Sequence, residues 1–327
     1  MSLVLGIETS CDETGIALVR DGREVLANEV ASQIDIHKEF GGVVPEIASR
    51  QHTKIISQLV DKVLHDANTA PEALDAVAVT IAPGLLGSLM VGTCFGKALA
   101  YVWKKPFVPV HHIEGHIYSA FLAEEAPTFP LLALIVSGGH TQLIRCDAPH
   151  QYHILGTTRD DAIGESFDKV ARLLGLSYPG GPSIQKAAEG GNASAYAFPR
   201  AMAAKETLDF SYSGLKTAVL YALRENPQAN VADIAASFQA AAVDILIKKT
   251  VQALESTGLP RLVVAGGVAA NRLLRERLQS DIPVPVFVPP FKYCIDNGAM
   301  IAAAGAARLA NGYAADLDAA PSASMAL

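Results

Sequence analysis

The chain has 327 residues, 50% of them hydrophobic and 18% charged, with 26 basic and 33 acidic side chains and a net charge of −7. That balance excludes a disordered chain, which needs low hydrophobicity and high net charge, and the length suggests two lobes with a core each. It also argues against a protein that coats nucleic acid indiscriminately, while leaving room for a local basic track.

Leu3 to Glu8 is a short apolar run rich in β-branched residues. It breaks into the polar turn Thr9–Gly15. Ile16–Val19 and Glu24–Asn28 follow as strands, with Asp21-Gly22 as the turn, so the opening predicts a hairpin meander. Residues 45–67 carry helical periodicity, with Ile47, Ile55, Ile56, Leu59, Val60, Val63 and Leu64 on one stripe. A strand is predicted at 75–81 and a helix at 85–103. Gly87, Gly92 and Gly96 in that helix point to close packing against another backbone or a partner subunit.

Residues 131–146 repeat the opening pattern. Leu132–Val136 is a buried-type strand, Ser137-Gly138-Gly139-His140-Thr141 a turn and Gln142–Cys146 a strand. Tyr152–Leu155 adds another. A supersecondary unit that occurs twice, one domain length apart, points to internal duplication. Helices are then predicted at 162–174, 213–225, 231–257 and 270–279, and strands at 261–265 and 284–288. A last, alanine-rich helix starts near Asn297. Alternating strands and helices place the chain in the α/β class.

Cys11, Cys94, Cys146 and Cys294 lie far apart and form no CxxC pair, which argues against a disulfide framework or a structural zinc site. The first residues have no basic n-region, and no run of about 18 apolar residues escapes charge or glycine. A cytoplasmic protein without membrane attachment is expected.

The strongest chemical motif is His111-His112-Ile113-Glu114-Gly115-His116. On a helix, His112 and His116 share one face and can bind one divalent ion. Ile113 occupies the place where an HExxH peptidase needs its glutamate, and Glu114 would point away. A third ligand must come from elsewhere. Asp296 precedes a helix, where it could equally be an N-cap. Two histidines and one carboxylate suit iron(II) or zinc and leave positions open.

Glycine turns after strands are candidate phosphate cradles: Ser137-Gly138-Gly139, Gly180-Gly181-Pro182 and Gly266-Gly267, the last followed by Asn271. There is no GxxxxGK[ST] and no GxGxxG. Candidate acids and bases are Asp12, Glu13, Asp160, Asp161, Glu165 and Asp168; Asp160 and Glu165 are better read as helix-start residues. Lys104-Lys105, Lys169 with Arg172, Lys248-Lys249, and Arg272, Arg275 and Arg277 could contribute to a polyanion track.

The duplicated meander, the late glycine turn before a helix and the terminal helix resemble the actin-like ATPase superfamily. More narrowly, the chain resembles the universal tRNA threonylcarbamoyltransferase family, once called glycoproteases. The carrying residues include Gly6–Thr14, Gly41–Glu46, Pro83-Gly84-Leu85, His111–His116, Val136–Thr141, Phe167-Asp168-Lys169, Tyr178–Pro182, Phe210–Lys216, Gly266–Asn271 and Asp296–Met300. The resemblance implies a two-lobed actin-like fold of duplicated ribonuclease H-like sheets with helices on both faces. Residues 1–130 plus 297–327 would form one lobe and 131–296 the other, with the ligand and metal site in the cleft.

The same resemblance implies transfer of threonylcarbamoyl from threonylcarbamoyl-AMP to N6 of the adenosine 3′-adjacent to the anticodon, in tRNAs reading codons that begin with A. His112, His116 and Asp296 match the metal ligands, for one divalent ion per subunit, iron(II) first and zinc second. Thr9, Ser10, Ile135, Val136, Ser137, Gly138, Gly139, Asp168, Gly181, Gly266, Gly267 and Asn271 are the expected nucleotide and substrate residues. Glu13, with Asp12 second, is the candidate general base. Implied partners are a TsaB-like paralogue and a TsaE-like ATPase, with a homodimer as the further option in isolation. Departures are Glu8 and Ser10, where actin-like ATPases commonly show Asp and Gly, and Ile135, where archaeal and eukaryotic relatives carry a tyrosine metal ligand. The competing reading is an actin-like ATPase or phosphotransferase acting on a small molecule.

Overall fold

The opening run forms β1 (Leu3–Glu8), and β2 (Glu13–Arg20) and β3 (Glu24–Ser32) complete an antiparallel meander with it in the computed structural model, which describes residues 2–202 and 206–327. The chain continues through α1 (Ile34–Lys38), α2 (Pro45–Asp66), β4 (Ala76–Ala82), α3 (Leu86–Trp103), β5 (Phe107–His111) and α4 (His112–Ser119). A second meander, β6 (Leu131–Val136), β7 (Thr141–Ala148) and β8 (Gln151–Thr157), follows. After it come α5 (Ile163–Leu173), α6 (Gly180–Ala187), α7 (Ser213–Glu225), α8 (Val231–Thr257), β9 (Leu262–Ala265), α9 (Arg272–Asp281), β10 (Val286–Phe287) and α10 (Gly298–Ala310).

Two compact units result. The first combines the chain up to Ala126 with Pro289–Leu327, and the second is Pro127–Val288. The first sheet has the order β3-β2-β1-β4-β5, the second β10-β9-β6-β7-β8. Each is an antiparallel meander extended by parallel strands beside its first strand, so the duplication seen in the sequence is present in the topology.

In the first unit, side chains alternate across β1. A Cβ on Gly6 would stand 2.2 Å from the Gly298 carbonyl of α10, and one on Gly305 would meet Ala78 and Val4. Ile7 and Val79, of the opposite parity, face Gly96 of α3. Thus α10 and α3 cover opposite faces of the sheet. Close approach to α10 explains why that helix is built of alanine and glycine. On the α3 face, Leu5, Ile7, Ile16 and Leu18 pack with Ile56, Leu59, Val60 and Val63 of α2. In the second unit β6 and β9 are wholly buried, and α8 is buried along most of its length. Phe167 and Phe238 meet edge to face, with centroids 5.1 Å apart.

Several boundaries differ from the sequence expectation. β2 begins at Glu13, so the opening polar turn is shorter than Thr9–Gly15. Gly180-Gly181-Pro182 is the first turn of α6 instead of a free turn; first-turn amides need no helical partner, so proline is tolerated there. β10 shrinks to two residues because Pro283, Pro285, Pro289 and Pro290 cannot donate to a ladder. The chain therefore leaves the second sheet early, and Asp296 belongs to the first unit. The division lies at 126/127 and 288/289, against the expected 130/131 and 296/297. Finally, α3 has 18 residues and a mean hydropathy of 1.2, long and apolar enough to cross a membrane by length and composition. It is packed against β4 and α2.

Candidate active site

β5 delivers the histidine cluster. His111 is the N-cap of α4: its Nδ1 accepts from the Ile113 amide at 3.2 Å and its Nε2 donates to the Met325 carbonyl at 3.1 Å. Burial holds its pKa below the usual histidine value. The first histidine of the motif thus has a capping duty.

One turn of helix brings the next two together. The rings of His112 and His116 have centroids 4.6 Å apart and meet edge on at 73°. Asp296 Oδ1 lies 3.6 Å from His112 Nε2 and 3.3 Å from His116 Nε2. One ligand atom from each of the three residues falls within 4.8 Å of the others. Asp296 is not the N-cap of α10. Asn297 takes that place, its Oδ1 accepting from the Met300 amide at 2.9 Å. Among the described residues, neither ring nitrogen of His116 finds a hydrogen-bond partner, although the residue is fully buried. Buried polar atoms are rarely left so, and a cation held by the trio would satisfy one of them. The donor set therefore fits a divalent ion of the iron or zinc type.

Behind the trio stands Glu8, fully buried at the end of β1. Its Oε2 lies 3.0 Å from His112 Nδ1 and accepts from Thr80 Oγ1 at 2.6 Å, while its Oε1 accepts from the Ser10 amide at 2.5 Å. Burial works to raise the Glu8 pKa, but the His112 imidazole and the Thr80 hydroxyl hold it below the usual carboxylate range. Burial works against charge on His112 too, yet the Asp296 and Glu8 carboxylates raise its pKa to about 9. Glu114 points away from the trio, as expected, and takes Arg308 Nε at 2.6 Å. The peptidase arrangement is therefore absent.

The remaining opening-loop residues divide. Thr9 Oγ1 donates to the Ser88 carbonyl at 2.9 Å, fully buried against α3. Ser10 Oγ lies 3.2 Å from His112 Nδ1. Glu13 Oε1 accepts from Ser32 Oγ at 3.2 Å. Burial, then the neighbouring carboxylates of Asp12 and Asp296, push the Glu13 pKa well above the ordinary value. The loop is braced by His52, whose Nε2 donates to the Cys11 carbonyl at 3.0 Å while Nδ1 accepts from Thr14 Oγ1 at 2.7 Å.

In the second unit the predicted glycine turns converge. Gly266 has φ +98°, and a Cβ there would stand 2.4 Å from the Val136 carbonyl, so only glycine lets the two strand ends meet. A Cβ on Gly164 would likewise strike Ser137 O at 2.7 Å. By contrast, Gly138, Gly139, Gly181 and Gly267 have nothing within 4 Å of a Cβ and leave their backbone approachable. Asp168 Oδ1 accepts from the Gly180 amide at 2.6 Å, joining α5 to α6. Asn271 caps α9 through the Leu274 amide at 3.0 Å and gives its Nδ2 to Gln239 at 2.9 Å. Ile135 and Val136 bury their side chains completely and contribute strand backbone.

The chain matches the TsaD family, tRNA N6-adenosine threonylcarbamoyltransferase, over residues 24–303. The chain belongs to that family. It is 50% identical to the tRNA N6-adenosine threonylcarbamoyltransferase of Thermomicrobium roseum, covering 97% of this chain and 94% of that protein. A relative of the same name from Caldicellulosiruptor saccharolyticus is 52% identical, covering 95% and 94%. Solved structures share the fold at lower identity. Full-length HypF aligns with a TM-score of 0.65 at 12% identity, over 94% of this chain and 55% of that one. Component A of the Acidaminococcus fermentans (R)-2-hydroxyglutaryl-CoA dehydratase aligns with 0.55 at 15%, over 95% and 100%. The TsaD assignment makes the chain a transferase that modifies tRNA, and the small-molecule phosphotransferase reading is not favoured.

Sequence reasoning missed the roles of Glu8, Thr80, His52 and the Glu114–Arg308 pair. Only Glu8 carried a signal, a carboxylate ending an apolar strand. Part of the expected basic track is buried or already paired: Lys249 is buried, Lys169 pairs with Asp161 and Glu165, and Arg277 pairs with Asp244 and Asp281.

Proposed function

We propose that this TsaD-family transferase takes threonylcarbamoyl from threonylcarbamoyl-AMP and places it on N6 of the adenosine 3′-adjacent to the anticodon, in cytoplasmic tRNAs reading codons that begin with A. An exocyclic adenine amine is a weak nucleophile because its lone pair is delocalised, so the acyl donor must be activated. A mixed anhydride with AMP meets that need. The N6–carbon bond forms, the bond from that carbon to the phosphate oxygen breaks, and AMP departs.

His112, His116 and Asp296 would hold the cation, iron(II) first and zinc second. Bound there, it would supply a Lewis acid that polarises the donor. The open amides at Gly138, Gly139, Gly181 and Gly267 would receive the departing phosphate. Glu13, with Asp12 second, would take the N6 proton. Burial and the neighbouring carboxylates of Asp12 and Asp296 raise the proton affinity of Glu13, the direction a proton acceptor needs. A TsaB-like paralogue and a TsaE-like ATPase are the proposed partners.

The observation that carries the reading is the His–His–Asp trio, its two histidines buried and its aspartate partly so, in a chain of this family. Nucleoside mass spectrometry of tRNA after depletion tests it. Threonylcarbamoyladenosine should vanish and return with the wild-type gene, but not with His116→Ala. Undiminished modification after depletion would refute the transfer. Full rescue by His116→Ala would refute the role of the trio.

A further inference from the structure

We propose that Glu8 is the positioning residue of the cation site: its carboxylate takes the Nδ1–H of His112 and so presents Nε2 to the cation. The inference rests on the cation reading of His112, His116 and Asp296. An imidazole has two nitrogens, and a ligand nitrogen must be free of its proton while the other donates to a fixed partner. Here the division is drawn by geometry. His112 Nδ1 lies 3.0 Å from Glu8 Oε2, whereas Nε2 faces Asp296.

Glu8 is itself immobilised. A carboxylate fully buried at a strand end persists only if its lone pairs are satisfied. The Thr80 hydroxyl binds the same oxygen that meets His112, and the Ser10 amide binds the other. Both donors come from the same sheet, through β4 and the turn after β1, so the carboxylate cannot follow a ring that rotates. The His111 cap fixes the start of α4 independently. His116, the other ligand, has no hydrogen-bond partner at either nitrogen among the described residues. The two histidines are thus unequal, and His112 is the one whose orientation is built in.

The test uses the full-length protein and Zn(II) alone, titrated in competition with a chromophoric chelator. Glu8→Gln should bind Zn(II) ~10–100-fold more weakly than wild type, as loss of an outer-shell carboxylate does elsewhere. Thr80→Val, which removes only the hydroxyl that holds Glu8, should show a smaller loss in the same direction. Histidine ring nitrogen NMR supplies a readout that mere packing would not move. The zinc-loaded wild type should show the His112 proton on Nδ1, and Glu8→Gln should lose that single tautomer. If wild type binds zinc but Glu8→Gln binds within about twofold of it, Glu8 has no such role and the cation site stands. If wild type binds no zinc, or binds it as well after His116→Ala, the cation reading fails and takes this one with it. Should Glu8→Gln not fold, Thr80→Val decides, and unchanged affinity overturns the proposal.

Discussion

Asn297 caps α10 and thereby frees its neighbour Asp296, which turns its carboxylate to within 3.3 Å of His116. Two adjacent residues that could each serve as an N-cap have divided the work. Replacing them should separate stability from cation binding. Asn297→Ala removes the cap and should lower stability by about 1 kcal/mol, with zinc content retained. Asp296→Asn should lose the cation while the Asn297 cap, and with it the start of α10, stays intact. Thermal unfolding and metal analysis of both variants check this. The division of labour is wrong if Asn297→Ala loses the metal and Asp296→Asn keeps it.

The ion pair between Glu114 and Arg308 ties α4, the helix that carries His112 and His116, to α10. Glu114 is fully buried, and Arg308 Nε reaches it at 2.6 Å. Removing Arg308 deprives a buried carboxylate of its charged partner, which costs about 3 kcal/mol or more. Arg308→Ala should therefore be strongly destabilised in chemical denaturation. Arg308→Ala combined with Glu114→Gln should recover part of the loss, since the uncompensated charge goes with it. No recovery in the double variant would mean that the cost lies in packing.

The fold was legible where its causes are local. Alternation and turn residues reveal the meanders at β1–β3 and β6–β8, and the 3.6-residue period reveals α2 and α8. The first turn of α6 was not, because Gly180-Gly181-Pro182 reads as a turn unless the following residues are known to continue the helix. The spacing of His112 and His116 is also local. Asp296 is not: from the residues alone it stands open between third ligand and N-cap, and the resemblance favours the ligand. Glu8 lies 72 positions from Thr80 and 104 from His112, so nothing short of the fold could reveal that the three converge.

Asp244 links α8 to α9 and to Arg200, and it should govern part of the acid stability of the second unit. Arg277 Nη1 reaches its Oδ1 at 2.7 Å and Arg200 Nη2 its Oδ2 at 2.9 Å. Burial works to raise its pKa, but the hydrogen bonds from Arg277 and then Arg200 hold it below the ordinary aspartate value. A depressed folded-state pKa gives stability that is present above the unfolded value of about 3.9 and lost as pH falls through the folded one. Asp244→Asn should lower stability by about 1–2 kcal/mol at neutral pH, discounted for partial exposure. The gap from wild type should close below about pH 4. A gap that is constant from pH 7 to pH 3 would show that the loss is steric.

Cys94 offers a probe of the partner surface. It is exposed on α3, at a shallow depression lined also by Thr53, Ile56, Val91 and Phe95. The same helix leaves Leu86 and Met90 about half exposed, an apolar face that suits the proposed TsaB-like paralogue. The other three thiols are poor competitors for alkylation. Cys146 and Cys294 are buried, and burial, with Asp12 and Asp296 next, pushes the Cys11 pKa up and its thiolate fraction down. A bulky maleimide should therefore react first at Cys94, as peptide mass spectrometry would show. The adduct should abolish complex formation with the paralogue on gel filtration, whereas Cys94→Ala should still form the complex and resist the reagent. A complex that survives stoichiometric modification of Cys94 would place the docking surface away from α3.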